Sequence, residues 1–255
     1  MKVKKILVIS LAVVFMLTVL LSCVFIFSIK KVDVKFNVAT GNGVVEIQKE
    51  LDKYVGDNLL FLDLDDVYKD LEQNPYYEVV KVEKNYPNLL TVEFTERLET
   101  YCLEYEGKVF TLDKEGFVLN QQNLSEFEGV GSDRIMLELD SFTIRSLSVG
   151  SKISTDDDEV LFSVFEMAKA VRLTDCINRI KVRSFSIDRT AWFYIDTGVT
   201  IQVPKVYERG VDKIVCAFDV YDNSDDYFKS FDTLIVTINQ NTGEIQVDST
   251  GEIGE

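Results

Sequence analysis

Histidine is missing altogether from the 255 residues of this chain, and with it go the commonest general base and the commonest metal ligand. Cysteine is scarce. Cys23 lies in an apolar N-terminal run, and Cys102, Cys176 and Cys216 follow at separations of 74 and 40 residues, so no paired-thiol or zinc spacing arises. Each thiol sits among apolar neighbours and reads as an inert core cysteine, with one disulfide or a reactive thiol as the alternative. Basic residues are few once the N-terminus is set aside. Residues 1–31 hold five lysines and no acid, which leaves 22 Lys and Arg against 43 Asp and Glu, a net charge near −21 from residue 32 onward. Such a surface repels phosphate backbones and anionic headgroups, because binding either needs Lys and Arg to displace counterions. Nucleic acid is thereby a poor partner. Internal repeats and low-complexity tracts are absent too, and 46% apolar content supplies packed cores.

What is present begins with an apolar run. Ile6 to Ile29 is interrupted only by Ser10, Thr18, Ser22 and Ser28, and it is bracketed by Lys4, Lys5, Lys30 and Lys31. As a helix of 24 residues it would span about 36 Å, enough to cross a bilayer. A cleaved signal peptide is the competing reading, since Leu20-Leu21-Ser22-Cys23 loosely resembles a lipoprotein box. Val24 to Ile29 continues apolar, however, where a mature lipoprotein would turn polar, so the helix is expected to stay as an anchor. The flanking lysines lean slightly toward a cytoplasmic N-terminus (residues 1–5), with the acidic bulk outside the cytoplasm.

Beyond the anchor, Val32 to Val38 alternates as a strand, and Gly41 to Gly43 forms a turn. Val44, Ile47, Leu51 and Tyr54 then recur at helical spacing up to Gly56. A second helix is capped by Asp63 or Asp65, buries Val67 and Leu71, and stops at Asn74-Pro75. Tyr77 to Lys84 and Leu89 to Arg97 alternate as strands about the turn Asn85-Tyr86-Pro87-Asn88. Inward positions on these strands are Val34, Phe36, Val80, Val82, Val92 and Phe94. Past Glu99 the pattern becomes a meander, with turns at Glu106-Gly107 and Asp113 to Gly116 and strands at Arg134 to Leu139 and Ile144 to Val149. Ser154 or Thr155 opens a helix with Val160, Val164, Met167 and Val171 as its buried stripe. Strands follow at Ile180 to Ile187, Ala191 to Ile195 and Val199 to Val203. A helix over Val206 to Tyr221 carries Val211, Ile214, Val215 and Phe218 at helical spacing. Thr233 to Ile238 and Glu244 to Asp248 close the chain as a hairpin around Asn239 to Gly243, with 249–255 as a loose tail.

Candidate chemistry is thin. Gly41-Asn42-Gly43 lacks the third glycine and the lysine of a phosphate loop. Asp113 to Gly116, Asp156 to Glu159 and Asp222 to Asp226 cluster carboxylates without the alternating ligands of a calcium loop, and read as solvated turns or a helix start. Tyr76, Tyr77 and Tyr86 read as core or rim rather than sugar-stacking residues. No catalytic, cofactor or metal residue is assigned.

Several strings, in this order behind a membrane helix, resemble the FtsQ/DivIB family of bacterial cell-division proteins. They are Leu71-Glu72-Gln73-Asn74-Pro75, Val80 to Pro87, Leu89 to Arg97, and Phe110 to Val118. Two departures stand out. Leu98 follows Glu96-Arg97 where the family usually has proline, and the glycine that usually ends the first strand is displaced to Gly41. The resemblance implies an α+β fold: one transmembrane helix at 6–29, a POTRA domain of β-α-α-β-β order at 32–98, and a mixed β domain with two helices at 99–248. It implies a divisome assembly factor rather than an enzyme, with no cofactor, whose partners are FtsL/FtsB- or DivIC-like membrane proteins and the septal wall synthase. The alternatives are a POTRA-bearing transport or assembly factor and an anchored wall hydrolase. The expected docking edge is the last hairpin, at Thr237, Asn239, Asn241, Gly243, Glu244, Ile245, Gln246 and Val247, because a final strand has a covalent neighbour on one side only.

Overall fold

In the computed structural model the described residues are 2–37, 42–129, 134–171, 176–185, 188–224 and 232–251. They fall into two compact units, Met1–Arg97 and Leu98–Glu255.

The first unit begins with helix α1, Lys2–Ile26. Its stretch Ile9–Ile26 is long and apolar enough to cross a membrane, and none of it is buried within the fold. Thr18 Oγ1 donates to the Val14 carbonyl at 2.7 Å and Ser22 Oγ to Thr18 at 2.8 Å, so these hydroxyls are satisfied inside the helix itself. The helix stops at Ile26 rather than at the expected Ile29. The reason is tertiary. Ser28 bridges to Asn58, Ile29 N donates to the Asp57 carbonyl at 2.8 Å, and Ile29 is only 1% exposed.

Strand β1 (Lys31–Phe36), helix α2 (Asn42–Leu51) with a 3-10 turn at Asp52–Tyr54, helix α3 (Leu64–Leu71), and strands β2 (Tyr77–Asn85) and β3 (Leu89–Glu96) follow. They reproduce the expected β-α-α-β-β order. The sheet runs β1-β3-β2, with β1 parallel and β2 antiparallel to β3. Val38 and Gly41 lie outside the described residues. Of the two candidate caps, Asp63 caps α3, accepting from the Asp65 amide at 3.0 Å. Val32, Ile47, Leu51, Leu59, Val67, Leu71, Leu90, Val92 and Phe94 form the centre of the core.

Among the inward residues expected of this sheet, Val82, Val92 and Phe94 are buried and Val34 and Phe36 pack on the core. Val80 is wrong: it is 48% exposed. The register slips between Val79 and Lys81, so that Val79 faces Phe94 and Val82 faces Val92. This bulge inserts one residue and turns Val80 outward. The Val82 amide donates to the Tyr68 hydroxyl at 3.0 Å.

The second unit is a nine-stranded sheet. Its strands are β4 (Tyr101–Tyr105), β5 (Lys108–Leu112), β6 (Val118–Asn123), β7 (Ile135–Asp140), β10 (Ile177–Phe185), β11 (Asp188–Ile195), β12 (Thr200–Val203), β13 (Thr233–Ile238) and β14 (Ile245–Thr250). Their order is β14-β13-β12-β11-β10-β7-β4-β5-β6. A separate small ribbon pairs β8 (Ile144–Ser146) with β9 (Ser154–Thr155). Helices α4 (Asp158–Ala170) and α5 (Gly210–Asn223) bury Val160, Val164, Phe165, Met167, Ile214 and Ala217 with the sheet residues Phe193, Ile201, Leu234 and Val236. Each such side chain larger than that of Ala217 contributes about 1.5–3 kcal/mol. At the Asp113–Gly116 turn, Gly116 has φ +80°, and an added Cβ would lie 2.5 Å from the Phe165 ring, so only glycine fits.

Three expectations are corrected here. The first helix of this unit opens at Asp158, not at Ser154 or Thr155. Those two residues form β9, and their hydroxyls donate to the Asp158 carboxylate at 3.1 and 3.2 Å. Helix α5 starts at Gly210 instead of Val206; of its apolar repeat, Ile214 is buried while Val211 and Val215 are exposed. Its inner face holds Lys213, whose ammonium donates to the Pro204 and Lys205 carbonyls at 2.8 and 3.1 Å. Strand β8 ends at Ser146, and Val149 is exposed.

The candidate partner edge

The last hairpin joins β13 to β14 through a loop at 240–243. Asn239 builds it: its carboxamide oxygen accepts from the amides of Asn241 and Thr242 at 2.9 and 3.2 Å. Its carbonyl accepts from Gly243 N at 2.8 Å, and its amide donates to the Glu244 carbonyl at 2.8 Å. Gly243 stands at φ +72°, the left-handed position that such a loop requires.

Bonded and non-bonded pairs alternate along an antiparallel ladder. Starting from the Asn239 to Glu244 bond, the register makes Thr237↔Gln246 and Ile235↔Asp248 bonded pairs. Ile238↔Ile245, Val236↔Val247 and Leu234↔Ser249 are the pairs between them. The amides of Ile245, Val247 and Ser249 therefore point away from β13. Among the described residues nothing precedes β14 in the strand order, so those amides line the sheet's edge. Ile245 and Val247 are half-buried and pack against the core, while Glu244 and Gln246 are exposed. The strand begins one residue later than expected and runs on through Thr250, taking in Ser249 and Thr250 of the expected tail; residues 252–255 lie outside the described residues.

All eight candidate residues thus fall in one hairpin, but their parts differ. Asn239 and Gly243 shape the turn, Thr237 pairs with Gln246, and Ile245 and Val247 carry edge amides. Arg209 was not among them. It precedes α5 in the left-handed conformation (φ +53°), pairs with Asp212 at 2.8 Å and donates to the Gly243 carbonyl at 3.1 Å. Sequence pattern gives no signal for it, since the two residues meet only in space.

The clustered carboxylates have structural work. Asp113 accepts from the Glu115 and Phe117 amides, both at 2.8 Å. Asp156 accepts from Thr143 N at 2.9 Å, and Asp157 pairs with Arg189 at 3.1 Å. Burial alone would raise the Asp158 carboxyl, but the Thr155 amide and the Ser154 and Thr155 hydroxyls outweigh it and hold it below the usual aspartate value. Asp225 and Asp226 of the last cluster lie outside the described residues. An open groove of about 450 Å³ between α4 and α5 is lined by Phe162, Val206, Tyr207 and Val211, and its charged lining groups are paired, Glu159 with Arg189, Glu166 with Lys169 and Arg209 with Asp212. Tyr77 is buried against Phe94, and Tyr86 meets Phe27 edge-on at 5.9 Å.

Residues 27–97 match the POTRA domain of FtsQ type. Among curated proteins, the chain is 24% identical over 160 residues to the cell division protein DivIB of Clostridium botulinum strain Hall, covering 63% of this chain and 59% of that one. It is 26% identical over 132 residues to DivIB of Clostridium acetobutylicum, covering 51% and 49%. The matched region thus spans between about half and three-fifths of these relatives' length. They bear the name of a cell-division protein rather than of an enzyme. A solved extracytoplasmic domain of DivIB from Geobacillus stearothermophilus is 14% identical and covers 51% of this chain and 98% of its own, with a TM-score of 0.29, a likeness too distant to argue from.

Proposed function

We propose, from the FtsQ-type POTRA match at residues 27–97 and the similarity to DivIB proteins, that this chain is of the FtsQ/DivIB family of bacterial cell-division proteins and is a membrane-anchored assembly factor of the division machinery. Its β domain binds FtsL/FtsB- or DivIC-like partners and thereby helps organise septal wall synthesis. In this reading residues 1–5 are cytoplasmic, the POTRA module is 32–98, the β domain is 99–248, and both modules lie outside the cytoplasm at the septum. The observation that carries it is the edge of the sheet. The Ile245, Val247 and Ser249 amides form a row that an extended partner segment can complete, with main-chain bonds for affinity and alternate side chains for selection.

Proline tests it. Ile245→Pro or Val247→Pro removes one outward donor and spares the ladder to β13, whereas Gln246→Pro breaks the bond to Thr237. The first two variants should fold and lose capture of the DivIC- or FtsB-like partner. Folded variants that bind at parental affinity would move the site elsewhere. For topology, protease added to intact protoplasts should digest residues 32–255, and full protection would reverse the orientation.

A further inference from the structure

The end of α1 is held by a loop of the domain that follows it. Asn58 Nδ2 donates to the Val24 carbonyl at 3.4 Å, and Leu59 N donates to the Phe27 carbonyl at 2.7 Å. Ser28 Oγ donates to Gly56 O at 3.1 Å, and Gly56 N returns a 2.9 Å bond to Ile29 O. The loop is also braced internally. Leu60 N donates to Asn58 Oδ1 at 3.0 Å, Phe61 N and Leu62 N donate to the Asn58 carbonyl at 3.1 and 3.0 Å, and Lys84 Nζ reaches Leu60 O at 3.4 Å.

Leu59 is fully buried, yet Leu60 is 40% and Phe61 82% exposed. Beside the same helix end stand Val55 at 45% and Tyr86 at 58%, the latter packed edge-on against Phe27. A rigid loop bonded to Val24, inside the apolar stretch Ile9–Ile26, sits within about one helical turn of the level where that stretch ends. That level is the boundary of the hydrocarbon core, the zone in which aromatic rings concentrate and lysines reach for water. Apolar side chains left bare there gain free energy by leaving water for the acyl boundary.

We propose that the 55–61 loop, with Phe61 at its tip, is a second membrane contact that inserts into the interfacial zone of the bilayer beside α1. The first module is then held at two points rather than swinging on one tether. The inserting side chains, Leu60 and Phe61, are apolar, and the exposed Asp57 carboxylate of the same loop stays on the aqueous side of the zwitterionic headgroups. This inference rests on the reading that α1 spans the membrane, and its test separates the two.

The full chain is placed in phosphatidylcholine nanodiscs in a Trp192→Phe background, which removes the single native tryptophan. One reporter is then added at a time: Phe61→Trp in the loop, Leu17→Trp within α1, and Gln73→Trp, an exposed site just beyond α3. Phe61→Trp should be blue-shifted and lose most of its emission to lipids brominated near the headgroup, and less to lipids brominated at the chain ends. Leu17→Trp should show the reverse order, and Gln73→Trp should be quenched by neither. Emission from Phe61→Trp matching that of Gln73→Trp, with Leu17→Trp still quenched, would overturn the loop contact and leave Phe61 to a protein partner. An unquenched Leu17→Trp would overturn the spanning reading itself.

Discussion

Arg209 donates from Nη1 to the carbonyl of Gly243 at 3.1 Å, joining the entry of α5 to the turn of the last hairpin across 34 residues. The turn is otherwise held by Asn239, through its carboxamide and its main chain, and by Thr242, whose hydroxyl accepts from the Glu244 amide at 3.3 Å. The edge strand next to it therefore takes part of its placement from a helix on the other side of a long connection.

Removing that bond should loosen the turn without unfolding the sheet. Arg209→Ala should cost about 1 kcal/mol, the usual net value of such a hydrogen bond. Amide exchange at residues 241–244 should speed up, while Leu234 and Val236, which are fully buried, keep their protection. Unchanged exchange across the turn would show that Asn239 and Thr242 suffice.

The bulge in β2 makes a paired prediction. Val82→Asp buries a carboxylate in the core and should cost on the order of 3 kcal/mol or more. Val80→Asp lies two positions away, and simple alternation treats the two alike. The bulge leaves Val80 about half exposed, so its change should stay within about 0.5 kcal/mol. Thermal melts of the two variants decide it, and equal losses would place both side chains inside.

Acid stability should carry a contribution from Asp158. Its folded carboxyl is held below the ordinary aspartate value, so the native state binds the proton less readily than the unfolded chain. The stabilisation is complete above the ordinary value of about 4 and drains away as pH falls through the lower, folded one. Asp158→Asn should therefore flatten the fall in melting temperature over that window. An undiminished acid slope in the variant would assign the effect to other carboxylates, Asp140 beside Arg183 being the next in line.

Periodicity in the chain was enough to locate most elements. The β-α-α-β-β order, the Asp63 cap, the burial of Val67 and Leu71, and the hairpin about Asn239 to Gly243 are all local. They depend on spacing, capping chemistry and a glycine in the left-handed region, which neighbouring residues decide among themselves. Charge and the missing histidine likewise needed no coordinates. The exceptions share a different cause. Ile29 left the helix because main-chain groups at 56–59 bond to the segment after Ile26, and Val80 turned outward because β2 carries one residue more than β3 can match. Lys213, outside the apolar repeat, lies on the inner face of α5 because two carbonyls 8 and 9 residues back receive its ammonium. The outward amides of Ile245, Val247 and Ser249 depend on which pair of the ladder is bonded first, and Arg209 reaches Gly243 only once α5 and β14 are packed. Residues distant along the chain set each of these, so local pattern could not: hydrogen-bond satisfaction and packing are counted over the assembled fold.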